Sequence, residues 1–145
     1  MKKYFLIITI ILTSLILFNC SEDDCFIPPE NIVFEFVNVS GENLLQNGTL
    51  DKSKIIVQQN EGNGNSIGIK TNIREDNKIS LEGVGWSEGS KDYDVYLTIN
   101  PVKTFRFKTT SSKITGKCSG YKIDNIQIED INSTSENGYY KIIVE

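Results

Sequence analysis

From Cys20 onward this chain carries 16 isoleucines and 8 valines against 5 leucines, with no alanine and no methionine. β-branched side chains lose χ1 freedom against the preceding turn of a helix, whereas they fit the half-buried surface of a pleated sheet. Apolar content of this kind disfavours helices and predicts an all-β fold. No convincing amphipathic helix follows Cys20, and 145 residues suit a single domain.

The alternation of side chains supports strands. Ile32, Phe34 and Phe36 share one face of a first strand, although Val33, Val37 and Val39 make its second face partly apolar. Ile55 to Gln58 reads as a short strand, and Ile67, Ile69, Thr71 and Ile73 alternate with Gly68, Lys70 and Asn72. The turn Arg74–Asn77 leads to Ile79 and Leu81. Tyr93, Val95, Leu97 and Ile99 form the cleanest apolar face, with Asp92, Asp94, Tyr96 and Thr98 opposite. Asn100-Pro101 turns the chain towards Phe105 and Phe107. Ile114 and Cys118 share an inward face of the next strand. Tyr121 and Ile123 then differ in parity from Ile126 and Ile128, so one extra residue at Asp124-Asn125, a β-bulge, is needed to keep all four inward. Tyr140, Ile142 and Val144 form the last strand. About seven to eight short strands with one wet face predict an antiparallel β-sandwich, with a small closed β-barrel as the alternative.

The N-terminus reads differently. Lys2 and Lys3 precede an uncharged, largely apolar run from Tyr4 to Phe18. As a helix it spans roughly 22 Å, short of the ~30 Å hydrocarbon core, so it reads as a secretory signal rather than a permanent membrane span. The run ends in Leu17-Phe18-Asn19-Cys20, which resembles the lipobox of bacterial lipoproteins; Asn19 stands where Gly, Ala or Ser is usual. The resemblance implies removal of residues 1–19 and diacylation of Cys20. Two acyl chains suffice for stable anchoring, at ~0.8 kcal/mol per buried CH₂. Ser21, Glu22, Asp23 and Asp24 follow, and Cys-Ser-Glu-Asp-Asp is similar to the acidic export signal of Bacteroidetes surface lipoproteins. It implies an outer-membrane protein displayed at the cell surface, with the periplasmic face as the alternative. Residues 20–30 then form a lipidated acidic linker and 31–145 the domain.

With Cys20 lipidated, Cys25 and Cys118 remain as an even pair in an oxidising compartment, and a disulfide between them is expected. Phe34-Glu35-Phe36-Val37-Asn38, Gly41-Glu42-Asn43-Leu44-Leu45 and Asp51–Val57, with Tyr140-Lys141-Ile142 near the end, resemble small Bacteroidetes lipoproteins. That resemblance implies an immunoglobulin-like or transthyretin-like sandwich and no particular activity.

The chain has no histidine, which excludes His-dependent triads, His-ligated zinc and His pH switches. Its net charge of −4 argues against nucleic acid, which favours a basic patch. No cofactor motif is present, and two cysteines without histidine make a poor metal set. Asn60–Asn65 reads as a Gly/Asn hairpin loop rather than a calcium loop, because the bidentate glutamate is missing. The expectation is a non-catalytic binding module that meets the membrane through its lipid and docks onto a cell-envelope protein. A glycan-binding accessory protein is the alternative, with Trp86, Tyr96 and Tyr139 as candidate ligand contacts, since an indole face stacks on a pyranose. Trp86 can equally plug one end of the fold. A carboxylate-based hydrolase is the third reading; it needs two carboxyls held close with divergent pKa values.

Overall fold

The computed structural model describes residues 25–97 and 103–145. Residues 1–24, including Cys20 and the acidic run Ser21–Asp24, lie outside it, as do Ile99 and the Asn100-Pro101 turn. The alternating segments become β1 (Phe26–Ile27), β2 (Ile32–Val37), β3 (Ile56–Gly62), β4 (Asn65–Ile73) and β5 (Ile79–Glu82). They continue as β6 (Gly89–Tyr96), β7 (Phe105–Ile114), β8 (Ser119–Glu129), β9 (Asn132–Glu136) and β10 (Tyr139–Ile143). Among the described residues the only helical element is a 3₁₀ turn, Lys52–Lys54, capped by the Asp51 carboxylate accepting from the Ser53 amide.

The ten strands form one mixed sheet, ordered β1-β8-β7-β6-β3-β4-β5-β2-β10-β9, curled into a half-barrel. This corrects the expected antiparallel two-sheet sandwich, and the small closed barrel as well. The physical reason lies in β4. Its first half pairs with β3 (Val57 opposite Ile69), and its second half, from Lys70, pairs with β5. One continuous strand therefore carries hydrogen bonding from one half of the sheet to the other, where a sandwich would have a gap. Two pairings are parallel, β1 with β8 and β2 with β10.

Curling brings β2 over β7. Phe34 and Phe36 on β2 and Phe105 and Phe107 on β7 are fully buried. The Phe34 ring meets Phe107 edge-on at 5.3 Å and Phe105 at 5.8 Å. Tyr93 stacks on Phe107 at 4.7 Å. Val95, Leu97, Ile79, Leu81 and Ile142 complete the core as their alternation predicts. β2 departs from simple alternation, because Val33 and Val37 on its second face are buried too, while Val39 is exposed. The segment after β2 folds back over it: the Leu44 amide donates to the Phe36 carbonyl at 2.9 Å, and Leu44 and Leu50 enter the core.

The predicted bulge is present. β7 and β8 slip in register between Thr110, opposite Asn125, and Ser111, opposite Ile123, which leaves Asp124 as the extra residue. Ile123, Ile126 and Ile128 consequently all pack against the core. The Asn60–Asn65 stretch forms a tight hairpin. Asn63 and Gly64 both have positive φ (52° and 79°), as a two-residue type I′ turn requires.

Candidate functional site

β8 and β9 are consecutive in the chain, joined only by Asp130 and Ile131, yet they do not pair. They diverge from that corner, and the half-barrel stays open between them. The opening is a cleft of about 620 Å³. Ile27 of β1 and Tyr121, Ile123 and Asp124 of β8 line one side; Glu136, Tyr139 and Tyr140 line the other. Glu30, Asn31 and the start of β2 form the remaining wall. Among the described residues, β1 pairs only with Ser119 and Gly120, so most of the outer edge of β8 has no strand partner, and neither has that of β9. Unpaired strand edges present backbone donors and acceptors to whatever lies beside them.

The cleft is half apolar and carries fixed charge. A hydrogen bond from Ser112, assisted by the Lys122 ammonium at 2.9 Å, lowers the Asp124 carboxyl below the usual carboxylate range, so it is ionised at neutral pH. Burial pushes the Tyr140 phenol up, which keeps it protonated there. The Lys78 ammonium lies 4.5 Å from the centre of the Tyr139 ring, a cation–π contact. Among the described residues no three Asp, Glu or Cys side chains gather as a metal site would require.

Beside the cleft stands a second feature. Cys25 and Cys118 form a disulfide with Cα atoms 4.7 Å apart, and the Ser119 amide donates to the Cys25 carbonyl. Cys118 lies in the turn just before β8 rather than inside a strand. Residues 25–30, assigned to the linker on sequence, are thereby held on the domain. The bridge docks β1 so closely that a Cβ on Gly120 would overlap the Ile27 carbonyl. Phe26 then meets Trp86 in a stacked pair at 5.5 Å, and Tyr121 edge-on at 6.4 Å. Trp86 is held by its neighbour Gly85, whose φ is +82° and where a Cβ would fall 2.6 Å from Ile123 Cγ1.

Among the described residues no ring contact joins the three aromatic residues singled out on sequence. Trp86 is half exposed against Phe26, and Tyr139 lines the cleft beneath Lys78. Tyr96 sits at the end of β6 opposite Ile56, with no ring contact to either. Phe26, Tyr121, Tyr140 and Glu136 were missed as site residues. The one sequence signal for Phe26 and Tyr121 was their closeness to Cys25 and Cys118. No protein-family model matches the chain, and no match is found among curated proteins or solved structures.

Proposed function

We propose that this protein is a lipid-anchored cell-envelope lipoprotein of the small Bacteroidetes kind, acting as a non-catalytic binding module through its open seam. The Cys25–Cys118 bridge carries the reading. It accounts for two of three cysteines and fits an oxidising compartment, which leaves Cys20, at the end of a signal-like run, for the lipid. The seam supplies a partner site of mixed chemistry: two free strand edges, three tyrosines and the Asp124 and Glu136 carboxylates. Such edges take up an extended segment of another protein by strand addition. The glycan alternative has less support, because no ring contact joins Trp86, Tyr96 and Tyr139.

Three experiments test this. Wild-type protein expressed in a Bacteroidetes host is expected in the detergent phase, shortened by residues 1–19 and heavier by a diacylglycerol. The Cys20→Ala protein is expected to keep its signal and lose the lipid mass. Cys20→Ala protein that partitions with membranes as wild type does, at the same processed mass, overturns the anchor. In the same cells protease shaving is expected to remove the wild type, and neutralising Glu22, Asp23 and Asp24 to protect it. For the seam, a photocrosslinking residue at Glu136 is expected to capture a discrete envelope protein in intact cells, while one at Ser66 on the β3–β4 hairpin captures none. Equal capture from both positions sinks the seam as the binding site.

A further inference from the structure

We infer that Phe26 and Trp86, with Tyr121 edge-on to Phe26, form a membrane-contact face that seats the domain on the bilayer holding its anchor. This rests on the lipoprotein reading above. Exposed apolar residues scattered singly need no explanation. Here, however, the Phe26 ring of β1 meets two others from separate elements: Trp86 of the β5–β6 loop, stacked, and Tyr121 of β8, edge-on. Phe26 remains 47 % and Trp86 50 % exposed. A stacked pair left half in water has no internal packing role that demands its exposure. Aromatic rings with one polar edge favour the headgroup level of a bilayer, and Trp and Tyr are enriched there.

The chain length outside the described residues says what covers this face. Cys25 lies five residue steps beyond Cys20. Even fully extended they reach no farther than about 18 Å, at ~3.5 Å per residue. A lipid on Cys20 therefore keeps Cys25 within that distance of its attachment point, and Phe26 is the next residue. The disulfide to Cys118 prevents β1 from peeling away and letting the domain drift out on a longer tether. The loop that presents Trp86 is equally constrained, since Gly85 is wedged beneath Ile123 and Pro29. Glu88 and Lys117, close in sequence to the rings, are exposed and limit the contact to headgroup depth. Seated this way, the β1–β8 end of the seam is turned towards the lipid, and the Asp130–Ile131 corner away from it.

Trp86 is the only tryptophan, so its fluorescence reports the face without a label. The full-length processed protein is purified in detergent, its mass measured, and the protein reconstituted into phosphatidylcholine vesicles with or without bromine on the acyl carbons nearest the headgroup. Lipidated protein is expected to show a blue-shifted Trp86 emission, and brominated lipid to remove most of it. Phe26→Ser, which unstacks the indole, is expected to reduce that quenching several-fold while the lipid mass is unchanged. Lipidated protein whose Trp86 emission stays red and unquenched overturns the contact face and leaves the anchor standing. A protein of unlipidated mass overturns the anchor, and the face with it. Emission that responds to soluble xylan and not to the vesicles overturns the membrane face in favour of a sugar-binding one.

Discussion

Replacing Cys118 or Cys25 with serine is expected to lower the melting temperature by roughly 10–20 °C, from a loss of ~4–5 kcal/mol. The two sulfurs join residues 93 apart in sequence. In the chain-entropy account, a closed loop of that length removes many conformations from the unfolded chain, and breaking it restores them. The native state loses something as well. β1 has two residues and two partners on β8, and both of its side chains are nearly half exposed. Burial alone cannot hold so short a strand. The variants are therefore expected to release β1, which removes the Ile27 wall of the seam and the Phe26 half of the aromatic pair. Scanning calorimetry of each variant, and of wild type with a reductant, checks this. All three should fall together, and limited proteolysis should then cut between Cys25 and Asn31. Variants melting within about 2 °C of the oxidised wild type would show that the bridge neither constrains the unfolded chain nor holds β1 in place. Gly120→Ala offers a separate route to the local effect, because a methyl there displaces the Ile27 carbonyl while both cysteines remain.

Which side chains point inward was largely legible in the sequence, because strand alternation is a local property. Phe34 and Phe36, Tyr93, Val95 and Leu97, and Phe105 and Phe107 are buried as their parity requires. The parity slip at Asp124 matches the register shift between β7 and β8. Which strand lies beside which is not local. Nothing in Tyr140–Ile143 marks it as the parallel neighbour of Phe34–Val37, because a parallel partner is reached only through the rest of the chain. β4 shows the cost of that gap. Its alternation places Ile67, Ile69, Thr71 and Ile73 on one inward face. The strand changes partner at Lys70, and Ile67 and Ile73 end up exposed while Ile69 packs on the core. The seam was illegible for the same reason. It exists because β8 and β9 diverge after Asp130, whose φ of 67° turns the corner, and a sequence does not state that two adjacent strands fail to pair.

Phe34→Ala is expected to cost ~3–5 kcal/mol of stability, a large share of the ~5–15 kcal/mol typical of a domain. Phe34 is fully buried on β2 and touches four other rings: Phe36, Phe105, Phe107 and Tyr140. Two of these lie on β7, on the opposite side of the curl, and one on β10. Phe34 is thus where the two halves of the sheet are held against each other, and its removal leaves a hole bordered by three strands. Edge-on aromatic pairs add about 0.5–1.5 kcal/mol beyond the buried area, which sets the upper part of the range. Phe34→Leu keeps most of the volume, and a cost of about 1–1.5 kcal/mol keeps it folded for comparison. Phe26→Ala provides the contrast, since a half-exposed ring on a two-residue strand should shift stability by less than ~0.5 kcal/mol. Urea denaturation of the three variants at equal protein concentration measures all of this. A Phe34→Ala unfolding free energy within ~1 kcal/mol of wild type would mean that the curl is held elsewhere, with β4 alone joining the halves. A Phe26→Ala cost equal to that of Phe34→Ala would mean that the outer aromatic pair serves the fold and is not left free to meet a membrane.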